Sequence, residues 1–394
     1  MSLRTAVTGF SPLMDVLAAE LGFGPALIGA FGTIVAASFA VFGFVTPLVS
    51  RRLGLEWTLV GAAAIAGAGV VLRATSDSPA MLVATTIVAL AGVGASNVLI
   101  VPMVKTYFAS RLKAMSSLYL GLLQLGQFTA PLVAVPLALS FGWRAALAVW
   151  AIPWAVAVAM WLVTALRARD HDAATRPEAS AGERIVGAWR TPLLWSLVVL
   201  FGMTALHTYS IITWLPTILV DAGADPALGG TLLAIFSVFG VLAAFVVPRL
   251  TIALRNPVAV VLVCAALLAV GYAGLLVAPL EGALVWVTAL GLGVSTFPLC
   301  LTLVNVRTRT TSGAALLSGA MQGLGYGIAC LGPLSIGWLL TLTGSWTSSF
   351  VLLFAAVVVT AVSGLVACRP GNLEDAAAQR AGRRQPEPER VEVG

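Results

Sequence analysis

Residues 25–47 read PALIGAFGTIVAASFAVFGFVTP, and residues 226–248 read PALGGTLLAIFSVFGVLAAFVVP. Each opens on Pro-Ala-Leu, carries no charged side chain and closes on a proline, Pro47 or Pro248. An uncharged apolar run of roughly 20 residues is long enough to cross hydrocarbon as a helix. Two such runs with the same opening and the same length, 201 residues apart, indicate that the chain repeats a unit of about half its length.

Outward from these two runs the pattern continues. Apolar stretches fall near 4–21, 26–49, 57–74, 80–104, 114–138 and 143–166, then 192–220, 227–248, 257–279, 282–304, 314–341 and 346–367. They predict an all-α membrane protein of about twelve spans. Composition agrees: the 394 residues are 59% hydrophobic and 10% charged, with mean hydropathy +1.00. A soluble domain carries about 25% charged residues, so this chain lacks the polar surface to face water on all sides. Cys264, Cys300, Cys330 and Cys368 lie in or at the ends of the apolar runs without metal-ligand spacing, and read as packing residues.

The net charge of +6 could suggest nucleic acid, but alternate loops carry it. One side holds 19 of the 22 Lys and Arg, including Arg51, Arg52, Lys105, Arg111, Lys113, the 167–190 segment, Arg249, Arg255, Arg307, Arg309 and the tail. The opposite side has Arg73 and Arg144. Basic loops stay cytoplasmic. The expectation is therefore a multi-pass protein of the bacterial inner membrane with its C-terminus inside and no nucleic-acid partner. Residues 369–394 are rich in Ala, Arg, Glu and Pro and predict a disordered tail. Residues 168–190 read as the linker between a 1–167 bundle and a 191–368 bundle, with Ile185–Trp189 as a short amphipathic surface helix.

Further matches run in the same order through both halves. Ser11-Pro12 parallels Leu215-Pro216; Gly92, Gly94 and Ser96 parallel Gly291, Gly293 and Ser295; Ala130-Pro131-Leu132 parallels Gly332-Pro333-Leu334. Six spans repeated in one orientation imply two six-helix bundles related by an axis along the membrane normal, with a site between them. That is the major facilitator architecture. The register also leaves span one short: 11 residues precede Pro12, against some 25 before Pro216 in span seven. About half of the first helix is then missing, and a mis-assigned start is expected.

Nearly all of the chain resembles the cyanate permease and 2-nitroimidazole transporter family of that superfamily. The resemblance rests on Leu3–Pro12, on Asn97–Pro102 with Lys105, on Leu118-Tyr119, and on Tyr209 with Trp214-Leu215-Pro216. It continues through Phe297-Pro298-Leu299, Leu301–Leu303, Arg307–Thr310, Leu317–Gly319, Gln322-Gly323, Gly325–Gly327 and Gly332–Leu334. It implies secondary transport of small, often anionic or polar organic solutes. One departure stands out: where the superfamily loop between spans two and three has a glycine and an aspartate, this chain has Pro47 and Arg51. The charge-relay account of that loop does not carry over.

A transport site needs polar groups at midplane depth, where ionisable residues are functional candidates by default. Arg4 lies 17 residues before Leu21, and His207 lies 17 after Arg190 and 14 before Asp221. In the Pro12/Pro216 register Arg4 aligns with Thr208, so Arg4 and His207 are expected to face one another across the shared cavity. Without a carboxylate at that depth, the guanidinium is a fork for an anionic substrate; the alternative is that it snorkels to an end. His207 is a substrate ligand or proton relay, or a hydrogen-bonded residue between helices. Asn97, Tyr119, Gln124, Gln127, Tyr209, Gln322 and Tyr326 are secondary ligands or interhelical links, and Trp214 with Pro216 is assigned to an outer gate, with interfacial anchoring of Trp214 as the alternative.

The sequence has no His-Glu-x-x-His, Cys pair or paired intramembrane carboxylates, so an enzyme is not expected. No cofactor is expected, with proton coupling as an option. The expected partners are a small solute and the lipid bilayer, around a monomer. Solute uptake leads over efflux of cationic drugs, which calls for an embedded acid; a non-transporting sensor is a remote third reading.

Overall fold

A computed structural model of the chain describes residues 2–108, 111–168, 187–254 and 256–382. Among these, eleven helices are long and apolar enough to cross a membrane. Span one is the exception. It is a broken element of Ser2–Thr8, a tight 3-10 turn at Ser11–Leu13 and Met14–Leu21. The break follows from Pro12, which brings no N–H to the helical ladder, and from Gly9, where a β-carbon would stand 3.0 Å from Trp150 Nε1.

Spans two to five are Pro25–Leu53, Leu55–Ala74, Pro79–Tyr107 and Leu112–Phe141. Span six is Trp143–Ala148 continued by Ala151–Ala168. In the second half, spans seven to nine are Pro192–Asp221, Pro226–Ala253 and Val258–Val277. Span ten is Ala283–Gly293 plus Thr296–Val306, span eleven Thr311–Ala329 plus Leu331–Thr343, and span twelve Trp346–Ala367. Pro47 and Pro248 do not close their helices as the repeat suggested; each lies inside one that continues to Leu53 or Ala253. An interior proline forfeits one backbone bond, which membrane helices tolerate because neighbouring groups can satisfy the freed carbonyl.

The packing follows the repeat. Spans three and four, three and six, two and four, and one and five pair in the first half. Nine and ten, nine and twelve, eight and ten, and seven and eleven pair in the second. Between the bundles, span five meets span eight and span two meets span eleven, two contacts that interchange under the same shift of six. Even end contacts repeat: Trp143 Nε1 donates to Glu20 at 2.6 Å and Trp346 Nε1 to Asp221 at 3.1 Å, both acids closing the last turns of spans one and seven.

The end bearing Arg51, Arg52, Arg111, Arg249, Arg307 and Arg309 is here called the basic end. There the tail corrects expectation. Leu373–Gly382 is a helix rather than disordered chain, with Leu373 and Ala377 buried. Glu374 Oε1 accepts from the Arg309 and Thr310 amides at 3.0 and 3.1 Å and from the Thr310 hydroxyl at 3.0 Å. Arg309 pairs with Asp375 at 2.8 Å, and Arg380 donates to the Arg190 carbonyl at 2.5 Å. These specific contacts order a segment whose composition alone does not. Residues 383–394 and 169–186, including Ile185 and Val186 of the expected surface helix, lie outside the described residues. The rest of that segment is a 3-10 turn, Ala188–Arg190, with Ala188 buried and Gly187 under the tail helix.

Candidate functional site

The site is built where spans one, two, five, seven and eleven converge. On span seven, Phe201, Ala205 and Tyr209 recur every four residues and so share one helix face. On span eleven, Ser318, Gln322 and Tyr326 do the same, and Gln322 Nε2 donates to Ser318 Oγ at 2.9 Å. The two faces meet: the Tyr326 ring is T-shaped to Phe201 at 5.2 Å and lies 6.3 Å from Tyr209. Gly325 permits this, because a β-carbon there would stand 2.6 Å from the Phe201 ring. Phe39 of span two reaches Tyr326 at 5.6 Å from the other bundle, and Phe297 backs Phe201 at 5.3 Å.

Arg4 brings the charge. It is half-buried on the first segment of span one, and makes no ion pair among the described residues. Its guanidinium acts electrostatically on the hydroxyls of Tyr119, Tyr209 and Tyr326, contributed by spans five, seven and eleven. Three phenols from both bundles thus lie within the electrostatic reach of one cation, near Phe39 and Phe201. Such a grouping offers hydrogen bonds and a fixed positive charge to a solute, and apolar ring faces to its flat surfaces.

On the side away from the basic end the bundles are sealed. Ser11 Oγ donates to the Ile212 carbonyl, and Thr217 Oγ1 donates to Asp15 at 3.0 Å, joining spans one and seven. Thr33 Oγ1 donates to the Cys330 carbonyl at 3.1 Å, joining two and eleven. A β-carbon on Gly29 would stand 2.4 Å from the Pro333 carbonyl oxygen, and one on Gly230 would stand 2.4 Å from that of Pro131. The motifs that revealed the repeat are therefore the two symmetric seam contacts, where small residues let backbones touch. Trp214 is buried under this seam, donating Nε1 to the same Pro333 carbonyl at 3.2 Å and packing edge-on to Trp346 at 5.7 Å. Pro216 lies within its helix, against Gly229. Towards the basic end the glycines at 43, 121 and 319 have nothing within 4 Å of a β-carbon position.

His207 is not part of this arrangement. It is fully buried inside the second bundle, its Nδ1 2.9 Å from the Tyr272 hydroxyl and its Nε2 3.3 Å from Thr360 Oγ1. The expected meeting of Arg4 and His207 is thus corrected, in favour of a hydrogen-bonded interhelical residue. Depth was equal, but two residues along a helix turn a side chain by about 200°; Tyr209, not His207, takes the facing position. Gln124 packs against Gly240 across the five–eight contact, its Nε2 3.5 Å from a β-carbon position there. Gln127 is buried and Asn97 half-buried on span four; no described contact joins either to the Arg4 cluster. Phe39, Phe201 and the Ser11–Ile212 contact escaped the sequence reading, since a site phenylalanine is indistinguishable from the apolar residues around it.

Residues 1–333 match the family model of the Major Facilitator Superfamily. The chain is 30% identical to the uncharacterized transporter YycB of Bacillus subtilis (strain 168) over 92% of its length and 90% of that protein. It is 29% identical to the 2-nitroimidazole transporter of Escherichia coli (strain K12), covering 93% of each chain. It is 26% identical to the cyanate transport protein CynX of the same organism, over 88% of this chain and 89% of the other. The fold is that of the solved nucleoside transporter NupG, with a TM-score of 0.73 at 12% identity over 94% of this chain and 97% of that one.

Proposed function

We propose, given that the chain belongs to the Major Facilitator Superfamily, that it moves a small anionic or polar organic solute across the bacterial inner membrane by alternating access. Transport of a solute through the membrane follows from family and fold. The choice of an anionic or polar solute is carried by a single observation: Arg4, without an ion pair among the described residues, exerts its charge on three tyrosine hydroxyls drawn from both bundles. A half-buried cation without a counter-charge attracts an anion, and a substrate carboxylate or similar anion supplies that charge while gaining bidentate hydrogen bonds. The aromatic walls favour a small, flat solute. That description suits both cyanate and a 2-nitroimidazole, the solutes named for two relatives.

With the basic end in the cytoplasm, the sealed seam lies outside, and the molecule stands in an inward-facing state. Substrate enters or leaves beside Gln322 and Tyr326; Trp214 and Pro216 back the outer gate, which opens when the Gly29–Pro333 and Gly230–Pro131 contacts part. His207, hydrogen-bonded between Tyr272 and Thr360, holds the second bundle together.

The test is counterflow in proteoliposomes with a panel of small anions and neutral nitro-heterocycles. Saturable exchange of at least one such solute, weakened in Arg4→Gln, supports the reading. Exchange confined to cationic drugs, or anion exchange unaltered in Arg4→Gln, overturns it.

A further inference from the structure

Arg73 is the second arginine inside the first bundle, and transport through the Arg4 cluster does not use it. It lies in the last turn of span three and is 2% exposed. Nη1 donates to the Ala6 carbonyl of span one at 2.9 Å, and the ring of Phe10 covers one face of the guanidinium at 4.4 Å from Cζ. The remaining edge, Nε and Nη2, has no partner among the described residues. Arg73 makes no ion pair there either.

A cavity of about 10 Å³ lies against this side chain, lined also by Thr5, Val70, Leu147 and Trp150. The indole Nε1 of Trp150 is a third buried donor without a described partner. The second bundle's buried His207–Tyr272 contact has its hydrogen bond complete. The Arg73 site of the first bundle instead holds a cation and a surplus of donors. Whatever completes it accepts hydrogen bonds, and a group that also carries negative charge offsets the guanidinium. The cavity is small, near the size that holds one water-sized sphere, which favours a monatomic anion over carboxylates or phosphate.

We infer that Arg73 and Trp150 hold a single halide-sized anion, chloride under physiological conditions, between spans one, three and six. The ion offsets the buried guanidinium and fixes the segment Thr5–Phe10, which follows Arg4 directly. It is a site separate from the substrate cluster.

Thermal unfolding of the purified protein in chloride, bromide or gluconate at equal ionic strength tests this. Binding to the folded state alone raises the unfolding temperature by about 2 °C per tenfold increase in halide above its dissociation constant for a chain of this length. Wild type is expected to show that rise in chloride and bromide and none in gluconate. Arg73→Met is expected to lose it, and Trp150→Phe to shift it to halide concentrations roughly 10–150-fold higher. Identical curves in chloride and gluconate, or a halide response that survives in Arg73→Met, overturn the inference. Should Arg73→Met fail to fold, crystals of wild type grown in bromide decide. An anomalous peak in contact with Arg73 supports the site. Density there that is present without anomalous signal is water and refutes it.

Discussion

At the scale of the residue, Arg4 and His207 separate two roles that depth alone could not. Arg4→Gln keeps a hydrogen-bonding side chain but removes the charge; charge-assisted bonds contribute about 1.5–3 kcal/mol, so the apparent KM for an anionic solute should rise roughly 10–150-fold. Concentration-dependent counterflow reads this directly. His207→Leu should do the opposite. It leaves the Tyr272 hydroxyl buried without its partner, which costs about 1–3 kcal/mol of stability, with KM unchanged. Thermal unfolding beside transport kinetics checks both halves of that statement, and a raised KM in His207→Leu would return the histidine to the site. Arg4 and the tyrosines were legible because polar groups are conspicuous in apolar runs. Phe39 and Phe201 were not, because their chemistry is that of every neighbour and only packing singles them out.

At the scale of the element, the seam and the tail helix each make a prediction. Gly29 and Gly230 lie against main-chain carbonyls that cannot swing aside, so Gly230→Leu or Gly29→Leu should hold the far-side gate open. Transport should fall severely while substrate binding persists; equilibrium binding and counterflow on one preparation distinguish these. The tail helix depends on Glu374. Its burial raises the carboxyl pKa, but hydrogen bonds from its own backbone, from the Thr310 amide and hydroxyl and from the Arg309 amide outweigh this, and the net shift is downward. A depressed carboxylate pKa stabilises above the unfolded value and loses that contribution as pH falls through the folded value. Amide exchange at the start of span eleven should therefore quicken at pH below the ordinary carboxylate range. Glu374→Gln should show the faster exchange already at neutral pH. The sequence marked the tail as polar and unpatterned, which was right about composition and wrong about order, since a few aimed contacts with Arg309, Thr310 and Arg190 suffice.

At the scale of the molecule, the contacts between the halves gather on the far side, and under the proposed alternating access they belong to one of two states. Contacts between the halves at Ser11, Asp15, Gly29, Thr33 and Gly230 all lie between the far end and the middle of their spans. With Cys330 replaced by Ser, Gln322→Cys should react with a membrane-impermeant thiol reagent applied from the basic side, and Ser11→Cys should react from neither. Reversal of that pattern on adding substrate would show the other state. Equal reactivity of both positions from the far side would contradict the assigned state.

The sequence by itself determined that the chain spans a membrane, that it repeats, and which superfamily it resembles. Those properties are written in hydropathy, charge alternation and register, all of which are periodic along the chain. The tertiary structure alone decided which face of span seven looks inward, which glycines touch carbonyls across the seam, and that the tail folds back. Each of these depends on an angle or a close approach between segments far apart in the chain, and no local pattern encodes it.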